Sequence, residues 1–187
     1  MTELLYNLGI KRNITYNLEE KRIFLNLLDY YENTYLENLS YEEIINKLEE
    51  LISNKININN YTKEWKFKEN SKGFSMKWHC DDCFIRKNKK NYLENMILDD
   101  DYYIRNEKLD DIGQYTLTHT EKLPEYTVLI YFSDYNKDYK GAELHFVNKI
   151  ITPNKYDVII FDSREIHKVN IQTNGIRKNL IIKYYKR

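Results

Sequence analysis

Hydrophobic residues in this chain change their spacing several times, and each change predicts an element. Across residues 17–38, Ile23, Leu25, Leu27, Leu28 and Tyr31 form a roughly helical stripe. Asn17 stands as a cap there, and Glu19 and Glu20 place negative charge in the first turn, where it complements the helix dipole. A second helix starts at Ser40, whose Ser-Tyr-Glu-Glu run is a capping box ahead of Ile44, Ile45, Leu48, Leu51 and Ile52. Both stripes predict core helices packed outside a sheet. From Ile56 the period shortens to two: Ile56 and Ile58, a turn at Asn59-Asn60, then Trp65 and Phe67 about Lys66.

Gly73 and Phe74 lead into residues 77–83, read as extended. Residues 126–133 form a nearly continuous apolar run, a buried strand in which Thr127, Leu129, Tyr131 and Ser133 share one face. A turn at 134–138 and Lys140-Gly141 precede a strand over 143–147, and Pro153-Asn154-Lys155-Tyr156 is the turn before a strand at 157–161. After His167, Val169 and Ile171 alternate, Thr173-Asn174-Gly175 reads as a hairpin-like turn, and the last strand covers 176–185. Arg177, Asn179 and Ile181 then face inward and Lys178 and Leu180 outward, with 183–187 as an outer edge. Residues 84–124 show no clear period; their basic run 86–90 and acidic run 98–101 read as solvated surface.

Composition narrows the class. At 187 residues the chain makes one domain with a sizeable core. Its 29 basic and 29 acidic residues cancel, which argues against a basic nucleic-acid footprint. Residues 1–7 carry no basic leader and no long apolar core, and no stretch of about 18 apolar residues exists, so the expectation is an intracellular, cytoplasmic protein without a membrane span. Two cysteines without a secretory leader predict reduced thiols.

The candidate chemistry lies at strand margins. His79 and Asp81 are two residues apart, so on an extended segment they point the same way. His167 follows the apolar run 157–161, and Arg177 precedes Leu180-Ile181-Ile182. Two imidazoles and one carboxylate form the facial ligand set of non-heme Fe(II) oxygenases, which leaves coordination positions open. The plainer reading makes both histidines ordinary hydrogen-bonded residues and Asp81 a turn residue. Cys80 and Cys83 are half of a zinc site only if His119 or His145 completes it, and flanking Asp81 and Asp82 disfavour a redox thiolate. Glu143 and His145 share a parity and are rival ligands. Arg164 contacts substrate or pairs with Glu165.

Four segments in order, Trp78-His79-Cys80-Asp81, residues 126–133, residues 141–146 and residues 161–177, resemble the 2-oxoglutarate- and Fe(II)-dependent dioxygenases, and among them the prolyl-hydroxylase-like branch. The resemblance covers residues 64–187. It implies a mainly β fold, a double-stranded β-helix or jelly roll, with residues 1–63 as helical support and 84–124 as an insertion in the catalytic core. It implies that His79, Asp81 and His167 bind catalytic iron, that Arg177 holds the distal carboxylate of 2-oxoglutarate, and that Tyr131 hydrogen-bonds it. A planar guanidinium suits that task, because it pairs a carboxylate bidentately and stays charged when buried. Oxygen is the third reactant, and ascorbate a candidate accessory reductant. The branch implies a protein or peptide substrate, prolyl first, with selectivity placed in 84–124. Two rivals share the fold: a nucleic-acid dealkylating dioxygenase, suggested by the last-strand pattern from Arg177 to Lys183, and a binding module without turnover. A basic, aromatic-lined groove discriminates the first rival.

Overall fold

Strands that are apolar on both faces need cover on both faces, and this requirement arranges the molecule. The computed structural model describes residues 22–79, 81, 83–87, 115–119, 124–146, 149–163, 165 and 167–187. A large antiparallel sheet runs β1 (Ile23–Asn26), β10 (Asp157–Asp162), β6 (Tyr126–Tyr131), β12 (Gln172–Lys186) and β2 (Tyr61–Ser71), with β7 (Tyr139–Gly141) pairing on β12. A smaller sheet runs β3 (Met76–His79), β11 (His167–Val169), β8 (Leu144–Phe146) and β9 (Lys149–Ile151). A third ladder pairs β4 (Cys83–Lys87) with β5 (Tyr115–His119).

The outer face of the large sheet carries Val128, Ile130, Val158, Ile160, Leu180, Ile182 and Tyr184. It is covered by α2 (Tyr41–Ile52), which buries Ile44, Ile45, Leu48 and Ile52. The capping box is present: the Glu43 N–H donates to Ser40 Oγ at 3.3 Å, and the Ser40 N–H donates to the Glu43 carboxylate at 2.7 Å. The inner face meets the small sheet. Leu129, Tyr131, Ile159 and Phe161 pack there with Leu144, Phe146 and Val169. The molecule is therefore mostly β with few helices, two sheets facing each other. Among the described residues the sheets do not close into a barrel. No described helix is long and apolar enough to cross a membrane.

Three expectations change. Residues 23–26 are a strand, not part of a helix: Ile23, Leu25 and Leu27 also fit a period of two, and pairing with β10 along the sheet edge decides between the two. The only α-helix between there and Ser40 is the short α1 (Asn33–Glu37). Residues 173–175 are not a turn, because β12 runs through them with a register shift between Gln172 and Asn174. Gly175 has φ +74°, and a Cβ there would lie 2.0 Å from the Asp138 carbonyl oxygen, so this glycine admits the close approach of β7. Residues 183–186 are not an outer edge either: β12 lies between β6 and β2, and Tyr184 is 2% exposed.

A candidate metal centre and a buried arginine on one sheet face

The first site residues come together where the two sheets meet. His79 ends β3 and His167 begins β11, and these two residues are register partners. Their rings lie 4.2 Å apart between centroids. Asp81 does not continue a strand from His79, as the sequence suggested; it sits in a turn. Its N–H donates to the Ser163 carbonyl at 2.9 Å, which draws the turn towards the large sheet. The carboxylate then lies 3.8 Å from His79 Nε2 and 4.0 Å from His167 Nε2. One ligand atom from each of the three falls within 4.8 Å of the others.

The arrangement is supported from behind. Thr127, inward-facing on β6, donates to Asp81 Oδ2 at 2.6 Å. Because that uses the single hydroxyl proton, Ser163 Oγ at 2.9 Å must be the donor to Thr127. His167 Nδ1 lies 2.8 Å from the Glu165 carbonyl, which can only accept. Nδ1 therefore carries the proton and Nε2 presents its lone pair to the cluster, as in metal-bound histidines oriented by a carbonyl. Burial, then the neighbouring His79, push the His167 imidazole down to about 4, so it is neutral at neutral pH. Burial opposes ionisation of Asp81, but His167, His79, Lys183 and the Thr127 hydroxyl outweigh it and hold the carboxyl below its ordinary range.

These donors fit a divalent first-row metal ion. Facial donors each about 2.1 Å from one ion lie about 3 Å apart, so the three side chains would draw in by about 1 Å or more to share an ion. Imidazole and carboxylate donors suit iron, whereas a thiolate set would favour zinc or an iron–sulfur cluster.

Further along the same face lies Arg177, 4% exposed. Its Nη1 donates to the Ala142 carbonyl at 3.3 Å, and its guanidinium carbon lies 5.2 Å from the Phe74 ring centroid and 5.9 Å from that of Tyr131. Its Nε makes no hydrogen bond, nor does Oδ1 of buried Asn179, its neighbour on the same face. No carboxylate among the described residues pairs with it. A buried cation without an anion is costly. Burial raises the Tyr131 pKa, which keeps its phenol protonated as a donor.

Other candidates fall elsewhere. Leu144 and Phe146 point inward from β8, so His145 between them and Glu143 do not reach the cluster; Glu143 accepts from the Tyr135 hydroxyl at 2.6 Å. Cys80 and Arg164 lie outside the described residues, as does 88–114, most of the stretch expected to set selectivity. Cys83 pairs with His119 in the β4–β5 ladder. Glu165, one of the two partners left open for Arg164, is held by Arg22. The Thr127–Asp81 and Arg22–Glu165 contacts were missed from sequence; the inward parity of Thr127 is the one signal that pointed to either.

A groove of about 270 Å³ opens beside the cluster, lined by Glu64, Trp65, Lys66, Ile181, Lys183 and Tyr185. Glu64 and Lys66 stand opposite Lys183 and Ile181 on the inner face. The Trp65 indole is held on the helical side, where Nε1 donates to Glu42 at 2.9 Å and the ring meets Tyr41.

No family model matches this chain, and no curated protein does. Solved structures do. A viral collagen prolyl hydroxylase from Paramecium Bursaria Chlorella virus-1, solved with 2OG, is 14% identical with a TM-score of 0.52, covering 100% of this chain and 89% of that one. A Pseudomonas putida prolyl-4-hydroxylase is 10% identical with a TM-score of 0.45, over 76% of this chain and 63% of that one. A Burkholderia pseudomallei oxidoreductase of the 2OG-Fe(II) oxygenase family is 14% identical with a TM-score of 0.47, over 80% of this chain and 58% of that one. The chain thus spans less than two thirds of either bacterial protein. The viral likeness shows a shared fold.

Proposed function

We propose that this chain is an Fe(II)- and 2-oxoglutarate-dependent oxygenase with a double-stranded β-helix core that hydroxylates a protein side chain, prolyl first. The observation that carries the reading is that, between the two sheets, a His79–Asp81–His167 cluster faces the same inner space as a buried arginine that lacks an anion among the described residues. His79, Asp81 and His167 would hold the metal. Arg177 would pair the distal carboxylate of 2-oxoglutarate, with Tyr131 as a neutral donor beside it. Bound Fe(II) and 2-oxoglutarate would together supply the oxidant, through oxygen activation and loss of carbon dioxide to leave succinate. The chain's own part is orientation and exclusion of water. Thr127 fixes Asp81, the Glu165 carbonyl fixes His167, and Leu129, Ile159, Phe161 and Ile181 form an apolar wall between the two anchors. The shared fold with a viral collagen prolyl hydroxylase supports a protein substrate.

The groove favours a second reading, nucleic-acid dealkylation, because it brings Lys66, Lys183, Trp65 and Tyr185 together. Against it, Glu64 offsets one lysine, Trp65 turns its ring to the other side of the sheet, and Tyr185 is 7% exposed, so neither ring offers a stacking face within the groove.

The test is anaerobic. Protein loaded with Fe(II) and titrated with 2-oxoglutarate is expected to develop a saturable visible charge-transfer band that is lost in His167→Ala. No band from the intact chain would sink the cofactor pair. Succinate release stimulated by a methylated oligonucleotide and not by prolyl peptides would select the second reading.

A further inference from the structure

The loop between β10 and β11 frames two of the three candidate ligands. Its Ser163 carbonyl accepts from the Asp81 N–H at 2.9 Å, and its Glu165 carbonyl accepts from His167 Nδ1 at 2.8 Å. The loop is tied down in turn by a residue 143 positions away in sequence. Arg22, just before β1, donates through Nε to Glu165 Oε1 at 2.5 Å and pairs the same oxygen through Nη2. Both side chains are nearly sealed, at 2% and 4% exposure. The Arg22 guanidinium also lies 4.2 Å above the Phe146 ring, and Phe146 in turn stands 6.0 Å from the His167 ring and 5.2 Å from Phe161. Arg22 thus reaches His167 by two routes, through the Glu165 backbone and through the aromatic stack.

A buried ion pair is a poor source of stability, since apolar residues of similar volume often do as well. Groups that fix the far nitrogen of a ligating histidine, by contrast, typically change metal affinity about 10–100-fold. We propose that Arg22 and Glu165 form a positioning clamp that holds the His167 imidazole in the orientation and tautomer needed to bind metal. The inference rests on reading the cluster as a metal centre. Neither residue touches the metal or a substrate; the clamp acts through the Glu165 carbonyl and Phe146.

The experiment replaces the pair with apolar residues of similar length, Arg22→Met with Glu165→Met, in the full chain. Thermal unfolding of the metal-free protein reports stability. Mn(II) binding, followed by loss of the free-ion electron spin resonance signal, reports the centre. Nitrogen-15 shifts of the His167 ring in the metal-free protein report its tautomer. The expected result is near-native stability, Mn(II) affinity about 10–100-fold weaker, and a mixed His167 tautomer. Arg22→Lys, which keeps the charge but not the two-nitrogen grip, is expected to fall between the two and covers the case where the double variant does not fold. Native Mn(II) affinity together with the native tautomer in the variants would overturn the clamp. If the unaltered chain bound no divalent ion, the metal reading would fail, and the tautomer comparison alone would still decide whether the clamp orients His167.

Discussion

The two ends of the inner sheet face treat buried charge in opposite ways. At one end the Asp81 carboxylate lies among two imidazoles, accepts from Thr127 and is fixed through its backbone to Ser163. At the other, Arg177 has one backbone carbonyl, two aromatic rings and, among the described residues, no anion. The first end has its supporting hydrogen bonds built in. Among the described residues the second end lacks half of an ion pair. An apolar residue of similar volume would serve stability there at least as well, so the guanidinium is the feature that the proposed anion-binding role accounts for.

This contrast can be broken most sharply by crossing variants with ligands. Asp81→Ala removes the one anionic ligand of the first end, a larger loss than the roughly 10–100-fold that changing a supporting residue costs. Metal affinity by calorimetry is expected to fall on the order of a thousandfold. Arg177→Met should weaken 2-oxoglutarate binding roughly 10–100-fold, the worth of charge-assisted hydrogen bonds, while leaving metal affinity alone. The same substitution should leave the metal-free protein as stable or more so in thermal unfolding, because it removes an uncompensated buried cation. A clear drop in that stability would mean the second end is complete as it stands. Thr127→Val tests the finer point that the first end is oriented as well as assembled: about a tenfold loss of metal affinity is expected.

Acid should act on the first end alone. His167 is neutral and buried with its pKa near 4, against an ordinary value of 6.5. Between those values the unfolded chain takes up a proton that the folded one does not, so stability falls as pH drops through 6.5 towards 4. Asp81, held below its ordinary range, acts in the same direction at still lower pH. Denaturant midpoints of the metal-free protein across this window check it; midpoints that rise with acidification would contradict the burial of a neutral His167.

Parity carried most of what the sequence disclosed. Arg177, Asn179 and Ile181 face inward and Leu180 outward because strand side chains alternate, and the same rule put Thr127 and Tyr131 on the inner face. The α2 start was legible because a capping box is local. What was hidden depends on partners far away in the chain. Residues 23–26 fit two periods, and only the β10 edge chooses between them. Gly175 looked like a turn because nothing nearby in sequence announces β7 pressing against it. The turn at Asp81 is imposed by Ser163 and Thr127, neither of which is its neighbour in sequence.

The position of β2 has a consequence for how the molecule behaves among its own copies. This strand of 11 residues lies at the end of the large sheet among the described residues and pairs there with β12. Long edge strands are templates for amyloid-like stacking. Here Lys63, Glu64, Lys66, Lys68 and Glu69 stud it on both faces, so each new copy laid in register would stack like charges. The strand that walls the groove is thereby also a guard against fibre growth.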